Sequence, residues 1–171
     1  SSSFYNELKR HGPLNMVKNH ALDVDCAKHT LVEENNPYVA AWWKWWQNIG
    51  DELNILRITG GEPLLHKSTY RLFDELRTNP KPKLEINVNS NMGIKTALVE
   101  KLCDNVNDLL ATKKISKFKL FTSVDTWGPR AEYIRTGLDL ELWENNLDTY
   151  IRSTKSPVTF MCTFNILSVT S

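Results

Sequence analysis

The sequence predicts an α/β fold built on a parallel sheet, and three observations carry that prediction. Stretches of strand-forming residues alternate with stretches of helical period. The alternation recurs at about 30–40 residues, the length of one strand–helix unit. Small and hydrogen-bonding residues gather at one end of every strand, while ordinary loop residues such as Asn79, Lys81, Lys83 and Lys114 gather at the other.

The elements follow in chain order. Ser1, Ser2 and Ser3 offer an N-cap for a short helix through Phe4, Tyr5, Leu8 and Lys9. Residues 12–37 are polar and without period, as in a long loop or insertion. Pro37 opens a helix reaching about Asp51 that carries Trp42, Trp43, Trp45 and Trp46. Residues 53–59 read as a strand, and 67–78 as a helix with Tyr70, Phe73 and Leu76 on one face. Residues 84–89 are strand-like, and Leu98, Val99, Leu102, Val106 and Leu109 mark the next helix. Residues 117–124 form a third strand, Leu140, Trp143, Leu147 and Ile151 a third sheet-covering helix, and residues 158–164 a buried final strand. Pro80 and Pro82 stand where a helix must stop. Four strands are too few to close a barrel.

Composition narrows the function. The 171 residues predict one domain, 41% hydrophobic and 24% charged, in the ordinary globular range. A formal net charge of +1 argues against nucleic acid or an anionic membrane as the main partner. No apolar run approaches the ~18 residues of a membrane span, and no signal-peptide pattern opens the chain. Three scattered cysteines make no disulfide framework, which predicts a reduced, cytoplasmic setting. The chain opens without methionine and closes on an apolar strand, so it reads as a fragment: residues 1–37 irregular, residues 38–171 an incomplete core of βα repeats.

Ligands of parallel α/β folds bind where strands end and helices begin. The first strand ends in Thr59-Gly60-Gly61-Glu62-Pro63, the second in Asn87-Val88-Asn89-Ser90-Asn91-Met92-Gly93, the third in Thr122-Ser123-Val124-Asp125, and the fourth reaches Asn165. The glycine pair allows close backbone approach, Pro63 stiffens the turn, and the Glu62 carboxylate suits an ammonium group. A phosphate is not expected there, because the turn lacks Gly-Lys-Ser/Thr and carries an acid.

Leu56-Arg57-Ile58-Thr59-Gly60-Gly61-Glu62-Pro63-Leu64-Leu65 resembles the second strand of radical S-adenosylmethionine enzymes, whose Gly-Gly-Glu-Pro turn binds the cofactor's amino group. The stretch from Ser123 through Asp125 to Arg135 and Gly137 resembles the family's fourth strand. By that match Ser123 faces the cofactor and Arg135 contacts its carboxylate; Asp125 carries chemistry or hydrogen-bonds within its turn. Ser90-Asn91 stands in the place of the family's Thr-Asn pair, and Asn165 matches a polar position on its fifth strand. The resemblance spans residues 38–168 and is closest to twitch-domain members, whose post-cluster segment also resembles residues 1–7.

That resemblance implies a partial (β/α) TIM-like barrel truncated at both ends, S-adenosylmethionine as cofactor, and a [4Fe–4S] cluster in the intact protein. The enzyme would generate a 5′-deoxyadenosyl radical to abstract hydrogen from a peptide or small-molecule substrate, with flavodoxin or ferredoxin as electron donor. The family's Cys-x3-Cys-x2-Cys loop is absent from this chain, which alone is expected to be inactive and offers no metal ligands. Cys103 on an apolar helix face and Cys162 in the last strand read as core residues.

Other patterns suit simpler roles. Cys26 and His29, with His20 nearby, fall short of the four ligands of a structural zinc site. Trp42, Trp45 and Trp46 share one helix face by their spacing, which predicts packing against the sheet rather than stacking on nucleic acid, with Trp43 pointing elsewhere. Two other functional readings stand beside the resemblance. One is a non-catalytic homologue that binds or scaffolds, which three cysteines upstream would dismiss. The other is an unrelated barrel enzyme acting on a phosphorylated metabolite, which needs a late glycine-rich phosphate loop.

Reconstituted with iron and sulfide under reducing conditions, the chain is expected to assemble no stable [4Fe–4S] cluster, since no three cysteines are spaced to ligate one. Iron and sulfide quantitation with a visible spectrum checks this; near-stoichiometric cluster would mean the cysteines are misread.

Overall fold

The computed structural model of the chain describes residues 36–135, 137–164 and 166–168. The opening helix, the irregular stretch before Asn36, the group of His20, Cys26 and His29, and Asn165 lie outside the described residues. The chain divides into two compact units, Ser1–Gly50 and Asp51–Ser171.

In the first unit, helix α1 (Pro37–Ile49) begins where Asn36 accepts the Tyr38 N–H at 3.0 Å and Pro37 spends no needed donor. Its buried residues correct the expected face. Trp43 and Trp46 are buried while Trp45 is 42% exposed. Each residue turns the helix by about 100°, so Trp45 stands well round from Trp46, whereas Trp42 and Trp43 flank it. Trp42 stacks on Trp46 at 5.5 Å and meets Trp43 edge-on at 4.6 Å.

The second unit holds a four-stranded sheet, β1 (Ile55–Ile58), β2 (Glu85–Asn89), β3 (Lys117–Ser123) and β4 (Val158–Met161), paired in that order and parallel throughout. Helix α2 (Lys67–Thr78) connects β1 to β2, and α3 (Thr96–Ala111) connects β2 to β3. A short α4 (Pro129–Ile134) and α5 (Leu140–Ser153) lie between β3 and β4. The sequence pattern did not show α4, whose six residues bury only Ala131.

Strand order equal to chain order means that every crossover steps the same way, and right-handed crossovers then carry all the helices to one face. Accordingly α3 packs against both α2 and α5. Trp143 of α5 donates to Thr122 Oγ1 of β3 at 3.2 Å and lies 6.1 Å from the Phe160 ring of β4. Ile86, Val88, Phe118 and Leu120 point into this layer and are at most 1% exposed. Arg77 ties α2 to α3 through Asp108 at 2.7 Å and Asn105 at 2.8 Å.

Residues that alternate with these line the opposite face, because side chains along a strand switch sides at every step. Arg57, Asn87 and Lys119 lie in register there, as do Asn89, Phe121 and Thr159. Lys119 pairs with Glu85 at 2.7 Å, and that hydrogen bond, set against the cost of burial, keeps the Glu85 carboxyl below its ordinary range. Parallel strands covered by helices on both sides are apolar throughout. These strands are apolar on the helix-covered side and carry mostly polar residues, with Ile55, Phe121 and Met161 among them, on the other.

Two further expectations need correcting. Ile151 is 54% exposed, and α5 buries Trp143, Asn146 and Tyr150 instead, one helical step away from Ile151. The last strand stops at Met161, where its pairing with β3, its partner among the described residues, ends at Ser123. Cys162 is therefore exposed rather than in the core, whereas Cys103 is buried and its thiol pushed up to about 11, chiefly by that burial. Among the described residues no helix is long and apolar enough to cross a membrane.

The two-faced sheet predicts unequal costs of truncation. Leu120→Ala should lose about 2–5 kcal/mol of stability, and Thr159→Ala no more than about 0.5 kcal/mol. Urea unfolding of the two variants measures the contrast; similar losses would mean that both faces are packed alike.

Candidate functional site

Three turns at the carboxyl ends of the strands build one rim. After β1, Gly60 and Gly61 adopt φ of 92° and 50°, where side chains are strained. A Cβ at either position would meet nothing within 4 Å, so backbone conformation, not crowding, calls for glycine. Glu62 then caps the 3-10 turn Pro63–Leu65, its Oε1 accepting the Leu64 N–H at 3.2 Å. Its Oε2 accepts the Asn91 N–H at 2.8 Å. One carboxylate thus joins the turn after β1 to the turn after β2. From α2, Thr69 donates to the Pro63 carbonyl at 2.7 Å and Tyr70 to the Leu64 carbonyl at 3.0 Å, so the turn is anchored from below.

The turn after β2 is equally constrained. Ser90 is buried and its Oγ accepts the Met92 N–H at 3.1 Å. Asn91 is exposed and its Oδ1 accepts the Gly93 N–H at 2.9 Å. Asn146 of α5 donates to the Met92 and Ile94 carbonyls at 2.8 and 2.7 Å, clamping the loop in which Met92 takes φ 55°. Asn146 escaped the sequence reading because it stands among helix residues of unremarkable pattern.

After β3, Ser123 is half-buried in register with Met161. Asp125 Oδ2 accepts from Arg135 Nε at 2.8 Å, and Oδ1 accepts the Thr163 N–H at 2.7 Å. Burial pushes the Asp125 carboxyl up, but these hydrogen bonds and the guanidinium charge outweigh it and leave the carboxyl below its ordinary value. Of the two roles open to Asp125, the hydrogen-bonded one is present: it ties the end of β3 to the segment after β4 and aims Arg135. Holding Arg135 by Nε leaves the outer edge of its guanidinium for another acceptor.

The rim therefore brings Gly60, Gly61, Glu62 and Pro63 to Ser90 and Asn91, and Asp125 to Arg135, with Ser123 at the end of β3. Asn165 lies outside the described residues. Beneath the rim, the polar face adds Arg57, Asn87, Asn89 and Lys119. The signal for Asn87, Asn89 and Lys119 was the every-second-residue polarity of residues 85–89 and 117–123, which apolar content alone obscures. Among the described residues no three His, Cys, Asp or Glu side chains are grouped to hold a metal ion. The chain matches no family model, no curated protein and no solved structure.

A group whose folded pKa is lowered stabilises the fold above its unfolded value and loses that contribution as pH falls through the folded one. Asp125→Asn should therefore cost about 1.5–3 kcal/mol at neutral pH. The gap from wild type should shrink as pH falls below the ordinary aspartate value of about 3.9. Chemical unfolding across that range checks the sign; a gap that widens in acid would contradict the ion pair with Arg135.

Proposed function

We propose that residues 51–168 are the cofactor-binding part of a radical S-adenosylmethionine enzyme, folded as a partial (β/α) barrel. The observation that carries this reading is the common rim. The Gly60–Pro63, Ser90-Asn91 and Ser123–Asp125 segments stand at the carboxyl ends of successive parallel strands, and Glu62 hydrogen-bonds across the first two. Sequential strand order with helices on one face is also how a barrel wall is built, its polar face becoming the interior.

The donor set fits the cofactor. Each Glu62 oxygen accepts one backbone N–H, which leaves lone pairs for an ammonium group. The free edge of Arg135 suits a carboxylate, and Ser123, Ser90 and Asn91 supply hydrogen-bonding groups along the same rim. When bound with a [4Fe–4S] cluster, S-adenosylmethionine supplies a 5′-deoxyadenosyl radical for hydrogen abstraction from a substrate. The two described cysteines, one buried and one exposed after β4, do not fit the cluster. An electron donor of the flavodoxin or ferredoxin kind and a cytoplasmic setting accompany the reading. Binding, orientation and exclusion of water are what these residues contribute.

Calorimetric titration of S-adenosylmethionine into the full-length, cluster-loaded protein tests this. Glu62→Gln should weaken binding roughly ten- to over a hundredfold, the value of a charge-assisted hydrogen bond. Ser123→Ala should cost less, and Arg135→Lys more than a conservative change suggests, because a point charge cannot replace a planar fork. Cluster content and circular dichroism keep folding separate from binding. Unchanged affinity in a folded, cluster-loaded Glu62→Gln protein would remove the reading.

A further inference from the structure

We infer that the polar face of the sheet is a recognition subsite for a monocarboxylate that carries a neutral N–H or O–H donor beside its carboxylate. Two features demand such a ligand, and neither depends on what the rim binds.

The first is Arg57. Its Nε donates to Asn89 Oδ1 at 2.9 Å, and its guanidinium lies over the Phe121 ring at 4.3 Å. Both contacts fix the plane of the group without neutralising it. Its Nη2 meets only the Met161 sulfur, at 3.6 Å, a weak acceptor. Among the described residues no carboxylate pairs with it. Glu85, on the same face, is already held by Lys119. A pre-oriented guanidinium with its outer edge open is a bidentate carboxylate receptor.

The second is Asn87, in register between Arg57 and Lys119. It is only 7% exposed, and its Oδ1 has no hydrogen-bond partner. A buried amide oxygen left without a donor costs stability, and native structures rarely leave one so. An acceptor needing a donor, on the strand adjoining an arginine needing a carboxylate, asks for both groups on one small ligand.

Charge then narrows the class. Lys119 and Glu85 cancel, and Lys117 stands in register with Glu85, one pair further toward the amino ends of the strands, so Arg57 is the positive charge left beside Asn87. A zwitterionic amino acid would bring an ammonium toward that charge, which a neutral amide or hydroxyl avoids. The shared chemistry belongs to an N-acylated amino acid, as at a peptide's carboxyl terminus, or to a hydroxy acid.

Nuclear magnetic resonance titration of the 171-residue chain with N-acetylglycine, glycolate, glycine and acetamide, without S-adenosylmethionine, tests the subsite and leaves the cofactor reading untouched. N-acetylglycine or glycolate should bind on the order of 1–10 mM and shift the Asn87 side-chain amide and the Arg57 Nε–H. The tighter of the two identifies the source. Glycine and acetamide should bind at least tenfold more weakly. Arg57→Gln, at an exposed position, should fold normally and weaken the better ligand tenfold or more. Absence of binding by both acids, equal binding by glycine, or undiminished affinity in folded Arg57→Gln would overturn the proposal.

Discussion

Every crossover in the second unit moves one strand onward in the same direction, and that constraint organises the rest of the molecule. Right-handed connections repeated in strand order stack α2, α3 and α5 on one side of the sheet. That layer takes the apolar side chains, from Ile86 to Leu120, and leaves the other face to Arg57, Asn87, Asn89 and Lys119. The same repetition points every strand's carboxyl end toward one rim, so the three turns become neighbours although the strand ends Ile58, Asn89 and Ser123 are each more than thirty positions apart in the chain.

The rim is held by its own side chains. Glu62 joins the first two turns, Asn146 clamps the second from the helix layer, and Asp125 links the third to the chain beyond β4. Each uses a side chain to satisfy backbone groups that the sheet leaves unpaired. The turns are hydrogen-bonded to one another without a ligand, and groups already held in place lower the ordering cost of binding. Arg57 and Arg135 follow one scheme: each is gripped through Nε, by an asparagine in one case and an aspartate in the other, with its outer edge left open.

Much of this was legible in the sequence because two periods were present. The helix at residues 67–78 was read with the boundaries it has, since Tyr70, Phe73 and Leu76 repeat at helical spacing and Pro80 follows. The strand ends were legible because glycine, serine and asparagine concentrate there. What escaped was information carried between elements. Trp43 and Trp45 exchange roles because spacing alone admits two overlapping faces on α1. Asn146 looks like a surface residue until its carbonyl partners, 52 and 54 positions away, are in place. Lys119 was hidden in a strand recognised by its apolar neighbours. Glu62 was found, but its grip on Asn91 depends on two strands lying side by side.

The central claim is that the rim at the carboxyl ends of the strands holds S-adenosylmethionine. Hydrogen exchange read by mass spectrometry, on cluster-loaded full-length protein with and without the cofactor, tests it most directly. The account predicts slowed exchange at residues 60–65, 90–93 and 123–135 and no change at residues 79–84 and 112–116 on the opposite edge. Protection confined to that opposite edge, or none at the rim under saturating cofactor, would contradict it.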